Sequence, residues 1–191
     1  MTDQQLQDEL TQVRMLSALT YPALRRLTRE GRLVKAREDQ VIIGPGVGST
    51  GFFVVIEGSV AVHLPHGPIL AYLGPRQVFG EIALLEGRER TAFCRAYTEC
   101  LLFEIPFGAF HSDLVANDVI RTGMEQTSRR RYSEQEAIRH GAPPPDLTPP
   151  AREELLDDEP EELLDDEEPP AEAGPARAPE PPRPPAIYAT A

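Results

Sequence analysis

Cysteine is scarce in this chain of 191 residues, with Cys94 and Cys100 as its two copies. Two cysteines at that spacing build neither a disulfide framework nor a paired metal knuckle. Basic side chains are short as well: 19 Lys and Arg stand against 31 Asp and Glu, for a formal net charge of −12. A nucleic-acid-binding surface gathers Lys and Arg to displace phosphate counterions, so this balance argues against one. No apolar run approaches the ~18 residues of a membrane-spanning helix. The opening Met1-Thr2-Asp3-Gln4-Gln5 lacks the basic and apolar regions of a secretory signal. The expectation is a soluble cytoplasmic protein with no membrane contact and a length suited to one domain plus extras.

What is present is unevenly placed. Residues 1–140 carry 17 acidic and 16 basic side chains, a net of −1, whereas residues 141–191 carry 14 acidic and 3 basic, a net of −11. Proline divides the same way, 6 before residue 141 and 14 after it. The segment 141–191 has no Phe or Trp and a single Tyr, Tyr188. Such a composition cannot bury enough apolar surface to offset ordering entropy, so it reads as a disordered acidic, proline-rich tail. Two repeats lie in it, Glu153-Glu154-Leu155-Leu156-Asp157-Asp158-Glu159-Pro160 and Glu161-Glu162-Leu163-Leu164-Asp165-Asp166-Glu167-Glu168-Pro169. Paired leucines between acids suit a linear motif that docks an effector protein through 153–169, and equally a tail that only solubilises.

The nearly neutral body reads as helix, short strands, then helix. Leu6, Leu10, Val13 and Leu16 through Leu19 suggest a helix over 3–18. Thr20-Tyr21-Pro22 starts a second, with Thr20 at the N-cap and Pro22 in the first turn. These N-terminal helices occupy 1–30. From Leu33 the period changes to short β-branched or aromatic runs: 33–34, 41–43, 52–56, 60–62, 69–73, 91–97 and 101–105. Gly and Pro separate them, which suggests a sandwich or small barrel over 31–106. After Pro106 the helical pattern returns over 107–140, with a long helix near 117–139.

One segment departs from β punctuation. Phe79 closes an apolar run, Gly80-Glu81 follow, and Ile82-Ala83-Leu84-Leu85 reads as one short helix. A loop with Gly87 then leads to Arg90-Thr91 and a new strand, so that Glu81 and Arg90 face one pocket. Free N–H groups at a helix start attract phosphate. A guanidinium adds a permanent charge and a fork of donors, and Gly80 permits close backbone approach. A carboxylate repels phosphate but accepts a hydrogen bond from a sugar hydroxyl. Phosphate plus sugar hydroxyl describes a nucleotide. A plainer alternative is a surface ion pair between Glu81 and Arg90, worth little.

The segment resembles the phosphate-binding cassette of cyclic-nucleotide-binding domains, most of all the catabolite-activator-like branch. Glu89-Arg90-Thr91-Ala92-Phe93-Cys94-Arg95-Ala96 is similar in order and type. The likeness extends through the hairpin Phe53-Val54-Val55-Ile56-Glu57-Gly58-Ser59-Val60, Leu73-Gly74-Pro75 and Glu104-Ile105, and covers roughly residues 10–138. It implies a mainly β fold: an eight-stranded β-roll (a double-stranded β-helix) with N-terminal and C-terminal helices, and the cassette at 79–92. It further implies that Glu81 holds a ribose 2′-hydroxyl and Arg90 a cyclic phosphate. The backbones of Gly80, Ile82 and Ala83 would line that phosphate, and the Thr91 hydroxyl would add a contact. Glu89 stands where many members have Pro. Thr91 hints at cGMP, whereas the bacterial branch tolerates a hydroxyl with cAMP. Arg131 and Glu134, on the long helix, are candidates for touching the base.

The branch follows its long helix with a helix-turn-helix domain, whereas here Gly141-Ala142-Pro143-Pro144-Pro145 begins the acidic tail, so DNA binding is not expected. The long helix is also the branch's dimer contact. Val119, Ile120 and Met124 begin an apolar stripe that Arg131 and Tyr132 interrupt, which makes a homodimer through 117–139 an open expectation. Arg129-Arg130-Arg131 otherwise reads as a solvated face. No nucleophile–base pair or metal set stands out, so no catalytic or metal-ligating residue is assigned and an enzyme is not expected. The functional expectation is a cAMP- or cGMP-binding regulatory module that signals to a partner protein. The rival is a ligand-free β-roll scaffold that recruits through its acidic Leu-Leu tail.

Overall fold

The computed structural model describes residues 1–44, 51–87 and 89–151. The Leu-Leu repeats of 153–169 therefore lie outside the described residues. The first helix, α1 (Asp3–Thr11), starts on a capping box: the Thr2 hydroxyl accepts from the Gln5 N–H, and the Gln5 side chain accepts from the Thr2 N–H. It ends well before residue 18. Leu10, Val13, Leu16 and Leu19 recur every three residues, and the backbone follows that spacing with i→i−3 bonds: Val13 to Leu10, Leu16 to Val13, Leu19 to Leu16. A period of three belongs to tight 3₁₀-type turns, which still stack Val13 and Leu16 into the core. In α2 (Tyr21–Glu30) Thr20 occupies the N-cap with no side-chain cap bond, and Pro22 supplies the preset first turn.

Eight strands follow: β1 (Arg32–Ala36), β2 (Val41–Ile43), β3 (Phe52–Glu57), β4 (Val60–His63), β5 (Ile69–Leu73), β6 (Val78–Phe79), β7 (Phe93–Ala96) and β8 (Cys100–Ile105). They form two four-stranded sheets, ordered β1-β8-β3-β6 and β2-β7-β4-β5, and every pairing is antiparallel. Consecutive strands alternate between sheets at most crossings, which is the topology of a roll. The run 53–60, expected as a hairpin, is not one: β3 and β4 lie in different sheets and do not pair, and the chain passes between them at Gly58, φ +83°, where a Cβ would lie 2.1 Å from the Glu99 carbonyl oxygen.

Side-chain alternation divides the core in two. Phe53, Val55, Leu73, Phe79, Cys94 and Leu102 fill the space between the sheets, with Phe53 and Phe79 stacked at 5.1 Å. Phe52, Val54, Phe103 and Ile105 point the other way and meet the helices. The short α4 (Phe107–Ala109) runs into a π-helical turn over Phe110–Val115, and α5 (Asp118–Arg139) then starts at an N-cap where the Asn117 side chain accepts from the Val119 and Ile120 N–H groups. Leu24, Leu27, Phe110, Leu114, Ile120 and Met124 pack into this second cluster. Ile120 and Met124 are thus spent inside the chain's own core, and of the apolar stripe Val119 alone is exposed. The crossing from β6 to β7 carries α3 (Glu81–Glu86), which packs beside α5 and brings the cassette under the long helix. Among the described residues no helix is long and apolar enough to cross a membrane.

Candidate ligand-binding site

A cavity of about 480 Å³ opens between the β2-β7-β4-β5 sheet, α3 and the last turns of α5. That volume lies inside the roughly 300–1,000 Å³ usual for small-molecule sites. All six residues singled out from the sequence line it: Gly80, Glu81, Ile82, Ala83, Arg90 and Thr91. Gly80 caps α3 with φ +92°, a left-handed conformation that turns the chain sharply out of β6. A Cβ there would press the Gly51 carbonyl, Ile43 and the Arg90 guanidinium at 3.1–3.3 Å. Gly80, as the cap residue, has no side chain with which to bond the first N–H groups of α3.

Arg90 is held from two sides. Its Nη1 donates to the Gly80 carbonyl at 2.7 Å and its Nη2 to the Gly51 carbonyl at 3.1 Å. Burial lowers its pKa below the ordinary arginine value, while nearby Cys94 and Glu81 push it back up. It remains a cation at neutral pH. Cys94 lies on the cavity wall, and burial first, then the Glu81 charge, push its thiol up to about 12; Arg90 and Arg131 act in the opposite sense.

Glu81 is 1% exposed, and its Oε1 accepts from Arg131 Nη1 at 2.6 Å. The same nitrogen donates to the Val78 carbonyl at 3.0 Å. The pairing thus joins cassette to long helix across fifty residues of sequence. Of the basic run, Arg129 and Arg130 are exposed as a solvated face requires, and Arg131 is turned inward. Thr91 is likewise engaged with α5: its hydroxyl donates to Gln135 Oε1 at 2.9 Å, and Arg139 donates to its carbonyl at 2.7 Å. Gln135 is buried and lines the cavity beside Glu134. Sequence reasoning named Arg131 and Glu134 but missed Gln135; the small Thr91 hydroxyl, facing a helix of known register, was the one available signal.

The wall continues past α5. Gly141, at φ +97°, donates to Ile138, and Ala142 donates to Ala137, a Schellman-type ending that reverses the chain. Ala142, Pro143 and Pro145 then join the cavity lining. Proline richness masked this, since those residues read from composition as the start of the tail. Among the described residues no group of His, Cys, Asp and Glu is placed to hold a metal ion.

The arrangement is a β-roll whose sheet crossing carries a glycine-capped, arginine-backed helix under a long C-terminal helix. Residues 33–117 match the family described as Cyclic nucleotide-binding domain. The chain is 29% identical over 125 residues to the cAMP-activated global transcriptional regulator CRP of Salmonella typhimurium, covering 62% of this chain and 60% of that protein. It thus spans about 60% of the length of that relative. Among solved structures, cAMP-bound PfPKA-R superposes with a TM-score of 0.62 at 19% identity, covering 70% of this chain and 47% of the other. The regulatory subunit of a cAMP-independent protein kinase A from Trypanosoma brucei superposes with a TM-score of 0.64 at 19% identity, covering 71% and 49%. At that identity these two structures speak for the fold.

Proposed function

We propose that this protein binds a cyclic mononucleotide, cAMP or cGMP, and acts as a cytoplasmic regulatory module that signals to an effector protein. The observation that carries the reading is Arg90, locked on the Gly80 and Gly51 carbonyls beside the glycine-capped start of α3, inside a cavity whose opposite charge is the buried Glu81. In this reading the cyclic phosphate sits on Arg90 and on the N–H groups of Ile82 and Ala83, close against Gly80. Glu81 accepts the ribose 2′-hydroxyl. A carboxylate has lone pairs enough for a guanidinium and a hydroxyl together, so Arg131 stays bound to Glu81 and the ligand reports its presence to α5. Thr91, Gln135 and Glu134 stand where the base would lie. Coupling to an effector then requires that the ligand favour one placement of α5 over another.

Calorimetric titration with cAMP and with cGMP tests this. Binding is expected, and Arg90→Ala is expected to weaken it by about 100-fold or more, since two or more charge-assisted hydrogen bonds at about 1.5–3 kcal/mol each are removed. Absence of heat and of any thermal shift with either nucleotide at millimolar concentration would refute the reading and favour the ligand-free scaffold.

A further inference from the structure

Among the described residues the β1 strand is an edge of its sheet, paired with β8 on one side alone. Among the described residues Arg32–Ala36 make no backbone hydrogen bond beyond that pairing. Around this edge the chain concentrates positive charge. Between residues 25 and 37 stand Arg25, Arg26, Arg29, Arg32, Lys35 and Arg37, with Glu30 as the one acid. Arg26 is used on Asp113 and Arg32 on Glu104. Arg25, Arg29, Lys35 and Arg37 are exposed and form no ion pair among the described residues.

The edge also carries apolar surface on a defined face. Leu33 pairs across with Phe103 and Lys35 with Leu101, and both partners belong to the face on which the helices pack. Leu33, 39% exposed, and the half-buried Leu101 therefore continue that face beyond α2 as a short ledge. Lys35 and Glu57 stand on either side of Leu101 across the sheet, and Arg29 lies in the last turn of α2, just before β1. An unpaired strand edge, two leucines and four uncommitted cations form a receptor for an extended chain that brings hydrogen bonds, apolar side chains and carboxylates together.

We propose that β1 is a docking edge for an acidic, leucine-bearing strand of a partner protein. The partner strand adds beside β1. Because successive side chains alternate, one of two adjacent leucines falls on the ledge at Leu33 while acids on either side reach Arg29 and Lys35. Nucleic acid offers the charge without the apolar side chains or the strand pairing, so Leu33 and the open edge favour a peptide.

Lys35 is the chain's only lysine, so its crosslinks and those of the Met1 α-amine are the two that mass spectrometry has to tell apart. The full-length protein is incubated with a labelled synthetic peptide, acetyl-DDLLEED-amide, which has this chemistry in an order that the chain itself does not contain. Binding is followed by anisotropy, and a carbodiimide then joins neighbouring amines and carboxylates for mapping by mass spectrometry. Expected are a peptide crosslink at Lys35, weaker binding at higher salt, and a loss of roughly tenfold or more with Arg29→Glu or Leu33→Asp. Replacing the peptide's leucines by serine is expected to weaken binding comparably. An unchanged melting temperature and unchanged nucleotide titration of the variants separate lost docking from lost folding. The melting-temperature control holds whether or not the cavity binds nucleotide. Lys35 crosslinks confined to carboxylates of the chain itself, equal binding of the serine peptide, or displacement by DNA and not by the leucine peptide would each overturn the proposal.

Discussion

At the residue scale the cavity is a set of charges held by backbone. Arg90 is set by two carbonyls, and Arg131 by Glu81 and a third carbonyl. Arg131→Ala is expected to leave the Glu81 carboxylate buried without its guanidinium, at a cost of about 3–5 kcal/mol, read as a lowered midpoint in urea or thermal unfolding. Glu81→Gln should cost less, because it removes the charge together with its demand. Cys94 permits a check that involves no ligand. Its thiol is pushed up to about 12 from an ordinary value of 9.0, so the folded protein holds that proton more tightly than the unfolded one. The associated stability is complete below pH 9 and is lost as pH rises from there toward 12. At pH 8 Cys94 should resist iodoacetamide in the folded protein and react once the chain is unfolded, as measured by mass spectrometry.

At the element scale the short α3 depends on the glycine before it. Gly80→Ala puts a Cβ at φ +92° and within 3.1 Å of the Gly51 carbonyl, so a loss of about 1–3 kcal/mol is expected together with weaker nucleotide binding. Calorimetry and thermal unfolding on the same sample check both. Most strands were legible in the sequence as short β-branched or aromatic runs, several of them set off by Gly and Pro, and the cassette was legible because Gly80, Glu81 and Arg90 are chemically unlike their neighbours. The extent of α1 was not. Leucines spaced by three and by four look alike over one turn, and only the chain's docking on Phe103 and its neighbours selected the tighter turns. The apolar stripe of α5 misled in another way. Ile120 and Met124 satisfy a dimer pattern and a core pattern equally, and packing chose the core.

At the scale of the whole molecule the net charge of −12 is a sum of unlike parts, a body near neutrality and a strongly acidic end. Cavity lining extends to Pro145, so the functional limit of the body falls beyond α5. Truncation after Ala151 is expected to leave nucleotide affinity within about twofold. Truncation after His140 removes Ala142, Pro143 and Pro145 from the wall and should weaken binding by about tenfold. Calorimetry on the two shortened proteins distinguishes these outcomes, and equal affinities would show that the wall beyond α5 contributes nothing.

The sequence alone determined the elements whose causes are local: Gly and Pro at the turns, strand patterning, and the chemical contrast of the cassette. It also determined the division of charge along the chain. The tertiary structure decided which groups face one another at long range. It put Arg131 on Glu81, Gln135 on Thr91 and Ala142 in the cavity wall, because these meetings depend on how α5 crosses the roll, and no local period encodes that crossing. It likewise decided that β1 is an edge, since a strand's neighbours follow from topology rather than from its own residues.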